Sequence, residues 1–179
     1  LLSTALANPR VQCVGVDNFA FSDAAGLNES LVHQRARQLR VSNYEIVNKD
    51  FEEALAESGQ RDQKVSLYFI DGPHDYRSQL ICLMLALPML AEGAAIVIDD
   101  CNYPHVRQAT CDFLVLHPEF KLVFEAYTPC HPLNMTAEQL RDAKAGWWDG
   151  VHVLVHDPEN LVDGNVPPTV QDKHLYTED

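Results

Sequence analysis

"LYFIDGPHDYRSQL", residues 67–80, is an apolar run that stops at an acid, Asp71, and turns through Gly72 and Pro73 into His74, Asp75 and Tyr76. A buried strand gains nothing from a carboxylate and an imidazole at its end unless that end lies where a polar ligand binds. A second run of the same form, "GAAIVIDD" (93–100), closes on the adjacent acids Asp99 and Asp100. Asp99 follows Asp71 by 28 residues, the length of one strand, crossover helix, strand unit, so the two strands are predicted to be parallel neighbours.

Upstream the pattern repeats. "VQCVGVD" (11–17) and "YEIVNKD" (44–50) are further β-rich runs that end in Asp17 and Asp50. Helix-period segments separate the runs: "LNESLVHQRARQLR", "FEEALAESG" and "YRSQLICLMLALPML". In the first, Leu27, Leu31 and Leu39 mark an apolar stripe, with Arg35, Arg37 and Arg40 on the polar side. Near-continuous apolar strands alternating with helices predict an α/β fold, Rossmann-like and doubly wound, with a mostly parallel sheet covered on both faces. Such a sheet presents the terminal acids of these four strands at one edge, where ligands of open α/β sheets bind. Downstream, "YPHVRQATCDFLVLH" reads as a helix with Pro104 in its first turn, and "FKLVFEAY" (120–127) as another strand. "GVHVLVHD" (150–157) alternates as a late, antiparallel strand. Residues 1–157 are expected to form the domain and 158–179 a tail.

Composition narrows the partners. The 179 residues carry 13 Lys and Arg against 26 Asp and Glu, a formal charge of −13, which repels phosphate backbones and anionic lipid. Nucleic acid and membrane are therefore not expected as partners, whereas cations are tolerated. No run of about 18 apolar residues is present. The five cysteines (Cys13, Cys82, Cys101, Cys111, Cys130) are odd in number and scattered, as in reduced core thiols of a cytoplasmic protein. Cys101 with His105, or Cys130 with His131, would make a zinc set only with a CxxC partner, and there is none.

The acids carry the chemistry. Two adjacent carboxylates in a cleft repel each other unless one is protonated or a cation neutralises them. Asp71, Asp99 and Asp100 at one sheet edge make an oxygen site suited to Mg²⁺ or a similar hard cation. Helix capping and solvation by water are the competing uses of such acids. His74, three residues after Asp71, would face the same cleft, where an imidazole can take a proton from a substrate hydroxyl. Asp17 stands where nucleotide-binding α/β folds place a ribose-binding acid. Asp50 can do likewise or cap a helix, since "DFEE" is a variant capping box, and Phe51 can lie against an adenine or staple that helix. Trp147 and Trp148, in the long connection before the last strand, are candidates for the rim of a substrate pocket or for core packing.

With these residues placed, the chain resembles class I S-adenosylmethionine-dependent methyltransferases. Within them it is similar to the metal-dependent O-methyltransferases that act on macrolide and aminocoumarin sugars and, more distantly, on catechols. The resemblance runs from about residue 11 to about residue 156 and is most specific over "FIDGPHDYRSQLICLMLALPMLAEGAAIVIDDCNY". It implies that Asp17 binds the cofactor ribose and that Asp50 and Phe51 flank its adenine. It also implies that Asp71, Asp99 and Asp100 hold the cation and that His74 acts as base or orienting group, with a small hydroxylated molecule as methyl acceptor. Many relatives self-associate, so the resemblance is compatible with a homo-oligomer and does not fix the oligomeric state. The family's first strand and Gly-rich loop have no counterpart here, and "LLSTALANPR" reads as the end of a helix, so the natural protein is expected to extend upstream. Relatives often carry a further acid or a lysine after the Asp71 position; Pro73, His74 and Asp75 stand there instead.

Three other readings fit less of the chain. A phosphoacceptor receiver domain would begin at "AIVIDD", but the 79 residues after Asp100 are too few for its remaining units. An NAD-dependent oxidoreductase leaves the three acids unexplained. A non-catalytic methyltransferase-like binding or dimerisation module remains an alternative.

Overall fold

The computed structural model describes residues 1–21, 23, 25–59, 64–126, 135–144 and 150–164. The chain divides into two compact units, Leu1–Ser58 and Gly59–Asp179.

The first unit contains α1 (Leu2–Ala7), β1 (Cys13–Val16), α2 (Asn28–Leu39), β2 (Tyr44–Val47) and α3 (Phe51–Ser58). β1 and β2 pair in parallel, Cys13 opposite Tyr44 through Val16 opposite Val47. Asn43, just before β2, ties the start of the unit together by donating its amide to the carbonyls of Ala5, Asn8 and Val11 at 3.0, 3.0 and 2.7 Å. The Asp23 carboxylate satisfies two backbone donors at the start of α2, Leu27 N (2.8 Å) and Asn28 N (3.0 Å). The helix forms as its periodicity predicts, but its leucines are not core. Leu27, Leu31 and Leu39 are each about half exposed, and its buried residue is Ala36.

The second unit contains β3 (Val65–Ile70), α4 (Tyr76–Ala86), a 3₁₀ turn (Leu87–Met89), β4 (Leu90–Asp99), α5 (Pro104–Leu116), β5 (Phe120–Ala126), α6 (Ala137–Lys144) and β6 (Val151–His156). Its sheet has the order β3-β4-β6-β5, with β3 and β4 parallel and β6 antiparallel to both its neighbours. This is the mostly parallel α/β architecture with one late antiparallel strand that the sequence predicts. β4 starts three residues earlier than its apolar run implies. Gly93, at φ +73°, lets the strand bulge there, and the register with β3 shifts between Val65 and Leu67.

One face of this sheet, built from Ile70, Ile96, Ile98, Leu122 and Leu154, is sealed, together with Leu83 of α4 and Val106 and Phe113 of α5. Burying each such side chain contributes roughly 1.5–3 kcal/mol. The other face of β3 is not sealed: Leu67 and Phe69 are 51% and 54% exposed. Apolar character on both sides of a strand therefore does not by itself secure cover on both faces. Among the described residues no helix is long and apolar enough to cross a membrane. Trp147, Trp148, Cys130, His131 and the tail from 165 onward lie outside the described residues.

Candidate active site

Asp71, Asp99 and Asp100 converge because β3 and β4 are direct parallel neighbours. Ile70 pairs with Ile98, so Asp71 and Asp99, the next residues along the two strands, lie at the same end of the sheet. One carboxylate oxygen from each of Asp71, Asp99 and Asp100 lies within 4.8 Å of the other two. Asp71 is exposed, and Asp99 and Asp100 are half-buried. The Asp99 carboxylate accepts the backbone N–H of Asp100 at 2.9 Å, and Asp100 takes a left-handed conformation, φ +59°. Asp is among the few residues that adopt that geometry readily, and here it turns the chain sharply off the end of β4.

His74 reaches the same place from the loop between β3 and α4. Its Nε2 lies 2.7 Å from Asp100 Oδ2, and its ring stacks on Tyr103 with centroids 4.6 Å apart and planes 27° from parallel. The loop is pinned on both sides of it. Gln79 donates its side-chain amide to the Pro73 carbonyl at 2.7 Å. Asp75 caps α4 by accepting Ser78 N at 2.9 Å. Partial burial would raise the Asp75 carboxyl, but the hydrogen bonds from Ser78 outweigh it and hold the group below the ordinary range. Asp75 is thus engaged as a cap. Sequence reasoning did not single out Gln79 or Tyr103; the signal for Tyr103 was its place just before Pro104, the residue that opens α5.

The thiol next to this cluster is structural. Cys101 is fully buried, donates to the Ile98 carbonyl at 3.4 Å, and burial pushes its pKa well up, while His105 is exposed. That arrangement does not make a zinc set. Deeper still, His152 is 1% exposed, neither ring nitrogen has a hydrogen-bond partner among the described residues, and Glu125 Oε2 is 3.7 Å away. Burial first, and then the Arg107 charge, lower its pKa to about 4.

In the first unit Asp17 and Asp50 follow the same ends of the paired strands β1 and β2. Asp17 is exposed; its Oδ1 accepts Phe19 N at 2.7 Å, and its own N–H continues the ladder to the Val47 carbonyl at 3.2 Å. Asp50 also keeps a carboxylate at the surface and caps α3 by accepting Glu52 N at 2.9 Å. The reciprocal half of a capping box is missing, because the Glu53 carboxylate turns to Lys49 at 3.3 Å. Phe51, the first residue of α3, is half-buried.

Parallel strands that end in acids, with an oxygen cluster and an imidazole at the end of one pair, define an α/β fold with a charged strand-end site. A family model described as a methyltransferase domain matches residues 1–101, more than half of the chain. The chain belongs to that family, which bears out the resemblance to class I methyltransferases. The fold is shared with solved structures at low identity. One is cofactor-bound Rv0187 from MTB, with TM-score 0.58 and 17% identity over 86% of this chain and 65% of that one. Another is the O-methyltransferase from Bacillus cereus in complex with SAH, with TM-score 0.56 and 10% identity over 87% of this chain and 78% of that one. A third is CalS11, a TDP-rhamnose 3'-O-methyltransferase of calicheamicin biosynthesis, with TM-score 0.50 and 18% identity over 84% and 60%. The chain thus spans just under two thirds of the first of these structures. A search of curated proteins finds no match.

Proposed function

We propose that the protein transfers the methyl group of S-adenosylmethionine to a hydroxyl of a small molecule, with Mg²⁺ or a similar divalent cation at Asp71, Asp99 and Asp100. The observation that carries this reading is the grouping of three carboxylate oxygens within 4.8 Å, with His74 against one of them. Octahedral Mg²⁺ holds oxygens at ~2.1 Å, so neighbouring ligands stand ~3 Å apart and opposite ones ~4.2 Å. The donor set, all oxygen, suits a hard cation. When bound, the cation supplies Lewis-acid polarisation of the acceptor hydroxyl. His74 would take the proton of the acceptor hydroxyl, and S-adenosylmethionine, when bound, would supply the methyl group and leave as a thioether.

Asp17 is the ribose ligand in this reading, with Asp50 and Phe51 against the adenine. That the Bacillus cereus protein and CalS11 are O-methyltransferases supports a hydroxyl acceptor, and the SAH bound to the former supports the cofactor. The charge of −13 favours a small acceptor over nucleic acid, and the free thiols Cys13, Cys82, Cys101 and Cys111 favour a cytoplasmic setting.

Calorimetric titration with S-adenosylhomocysteine, with and without Mg²⁺, tests the reading. Binding is expected; no heat under either condition would overturn it in favour of a non-catalytic module.

A further inference from the structure

We propose that Arg107 is a positioning residue for the Asp99–Asp100 pair: from the start of α5 its guanidinium braces the turn that presents both acids. This rests on the cation reading given above and adds to it a residue outside the three acids.

The turn needs a brace. Asp100 is left-handed at φ +59°, a conformation that a residue other than glycine keeps only where its surroundings determine it. Within the turn, Asp99 Oδ1 accepts Asp100 N at 2.9 Å and the Asp100 carbonyl accepts Tyr103 N at 3.0 Å. The first of these bonds draws on a carboxylate that a cation would claim. A restraint that survives loading has to come from another element.

Arg107 supplies one. Its Nη1 donates to the carbonyl of Cys101, the residue directly after the acid pair. Its own backbone is set in α5, where Arg107 N donates to the Tyr103 carbonyl at 3.2 Å. Val106 and Ala109 on the same helix are fully buried, so the brace starts from an element seated in the core. At its other end Cys101 is fully buried too, and its thiol donates to the Ile98 carbonyl of β4 at 3.4 Å. A guanidinium carries five donors in a rigid plane and can hold this carbonyl while its remaining donors bond elsewhere.

The charge of Arg107 makes the idea sharp. The guanidinium acts by charge on Cys101, Cys111 and His152, so it stands near the end of β4 where the acids lie. By Coulomb's law alone a positive group there opposes any cation at the acids, and its removal should tighten cation binding. Loss of a positioning contact weakens binding instead, by about tenfold or more for a residue that orients metal ligands. The two effects have opposite signs.

Calorimetric Mg²⁺ titration of the wild type, Arg107→Lys and Arg107→Met reads that sign. Arg107→Met is expected to bind Mg²⁺ about tenfold more weakly, and Arg107→Lys, which keeps a donor, to recover part of the loss. A methionine variant that binds as tightly as the wild type, or more tightly, would overturn the proposal. Amide hydrogen exchange without metal is the second readout. The Asp100 and Tyr103 amides should exchange about tenfold faster in Arg107→Met, while those of Phe113 and Leu114 within α5 keep their wild-type rates. Unchanged exchange at Asp100 and Tyr103 would also sink it. If Arg107→Met does not fold, Arg107→Gln, uncharged and two atoms shorter, replaces it in both measurements. A wild type that binds no Mg²⁺ while the exchange contrast holds would remove the cation from the proposed function and leave Arg107 as the brace of the turn.

Discussion

Ile70 and Ile98 are parallel partners in adjacent strands, and that pairing places Asp71 and Asp99 side by side. The strands need not carry any special sequence to bring the acids together. Register alone does it, and a one-residue slip would separate them while also turning the sealed face of β4 outward. The site and the core are thus specified by the same alignment.

If those acids hold a cation, the double substitution Asp99→Asn and Asp100→Asn is expected to weaken Mg²⁺ binding by more than about tenfold while the far-ultraviolet circular dichroism is unchanged. Neither side chain is in the sealed core, so folding should survive. Calorimetric Mg²⁺ titration of the variant decides it, and an isotherm like the wild type's would refute the assignment.

His74 and Asp75 are adjacent but have separable roles. Asp75→Ala removes the cap on α4 and is expected to cost ~1 kcal/mol of stability, while Asp75→Asn keeps a capping oxygen and should cost much less. Methyl transfer should be preserved in Asp75→Asn and fall by about 10²-fold or more in His74→Ala. Urea unfolding and initial rates measured on the three variants check this. A fully active His74→Ala enzyme would remove His74 from the chemistry.

Most of the fold was legible because its signals are local. Apolar runs closed by acids fixed the strands, and the spacing between Asp71 and Asp99 implied their parallel pairing. The alternation of "GVHVLVHD" marked a strand whose antiparallel sense the hydrogen bonds with β4 and β5 establish. What periodicity does not carry is the identity of the covering surface. Leu27, Leu31 and Leu39 have helical spacing yet stand half exposed, because spacing defines an apolar stripe and not its partner. The partners of His74 were illegible for a related reason: Asp100 and Tyr103 lie 26 and 29 residues away and meet it only through the turn after β4.

That difference is measurable. Leu83→Ala opens a cavity in a fully buried site and is expected to cost about 2–5 kcal/mol. Leu31→Gln, at a half-exposed position, should change stability by no more than about 0.5 kcal/mol. Urea denaturation midpoints of the two variants test the contrast. A large loss in Leu31→Gln would show that the stripe on α2 is covered in solution.

The buried ring of His152 has no hydrogen-bond partner among the described residues, and its pKa is lowered to about 4 against an ordinary 6.5. Between those values the unfolded chain binds a proton that the folded chain refuses. Stability from this residue is therefore fully present above about pH 6.5 and is lost as the pH falls toward 4. The loss is up to about 3 kcal/mol for a shift of this size. His152→Leu removes both unsatisfied nitrogens from the interior and leaves Glu125 partly in solvent, so it should be neutral or stabilising at pH 7. It should also flatten the acid limb: the difference in unfolding free energy between pH 7 and pH 4.5 should shrink by about 2–3 kcal/mol relative to the wild type. Equal pH dependence in the two proteins would show that His152 finds a proton acceptor when folded.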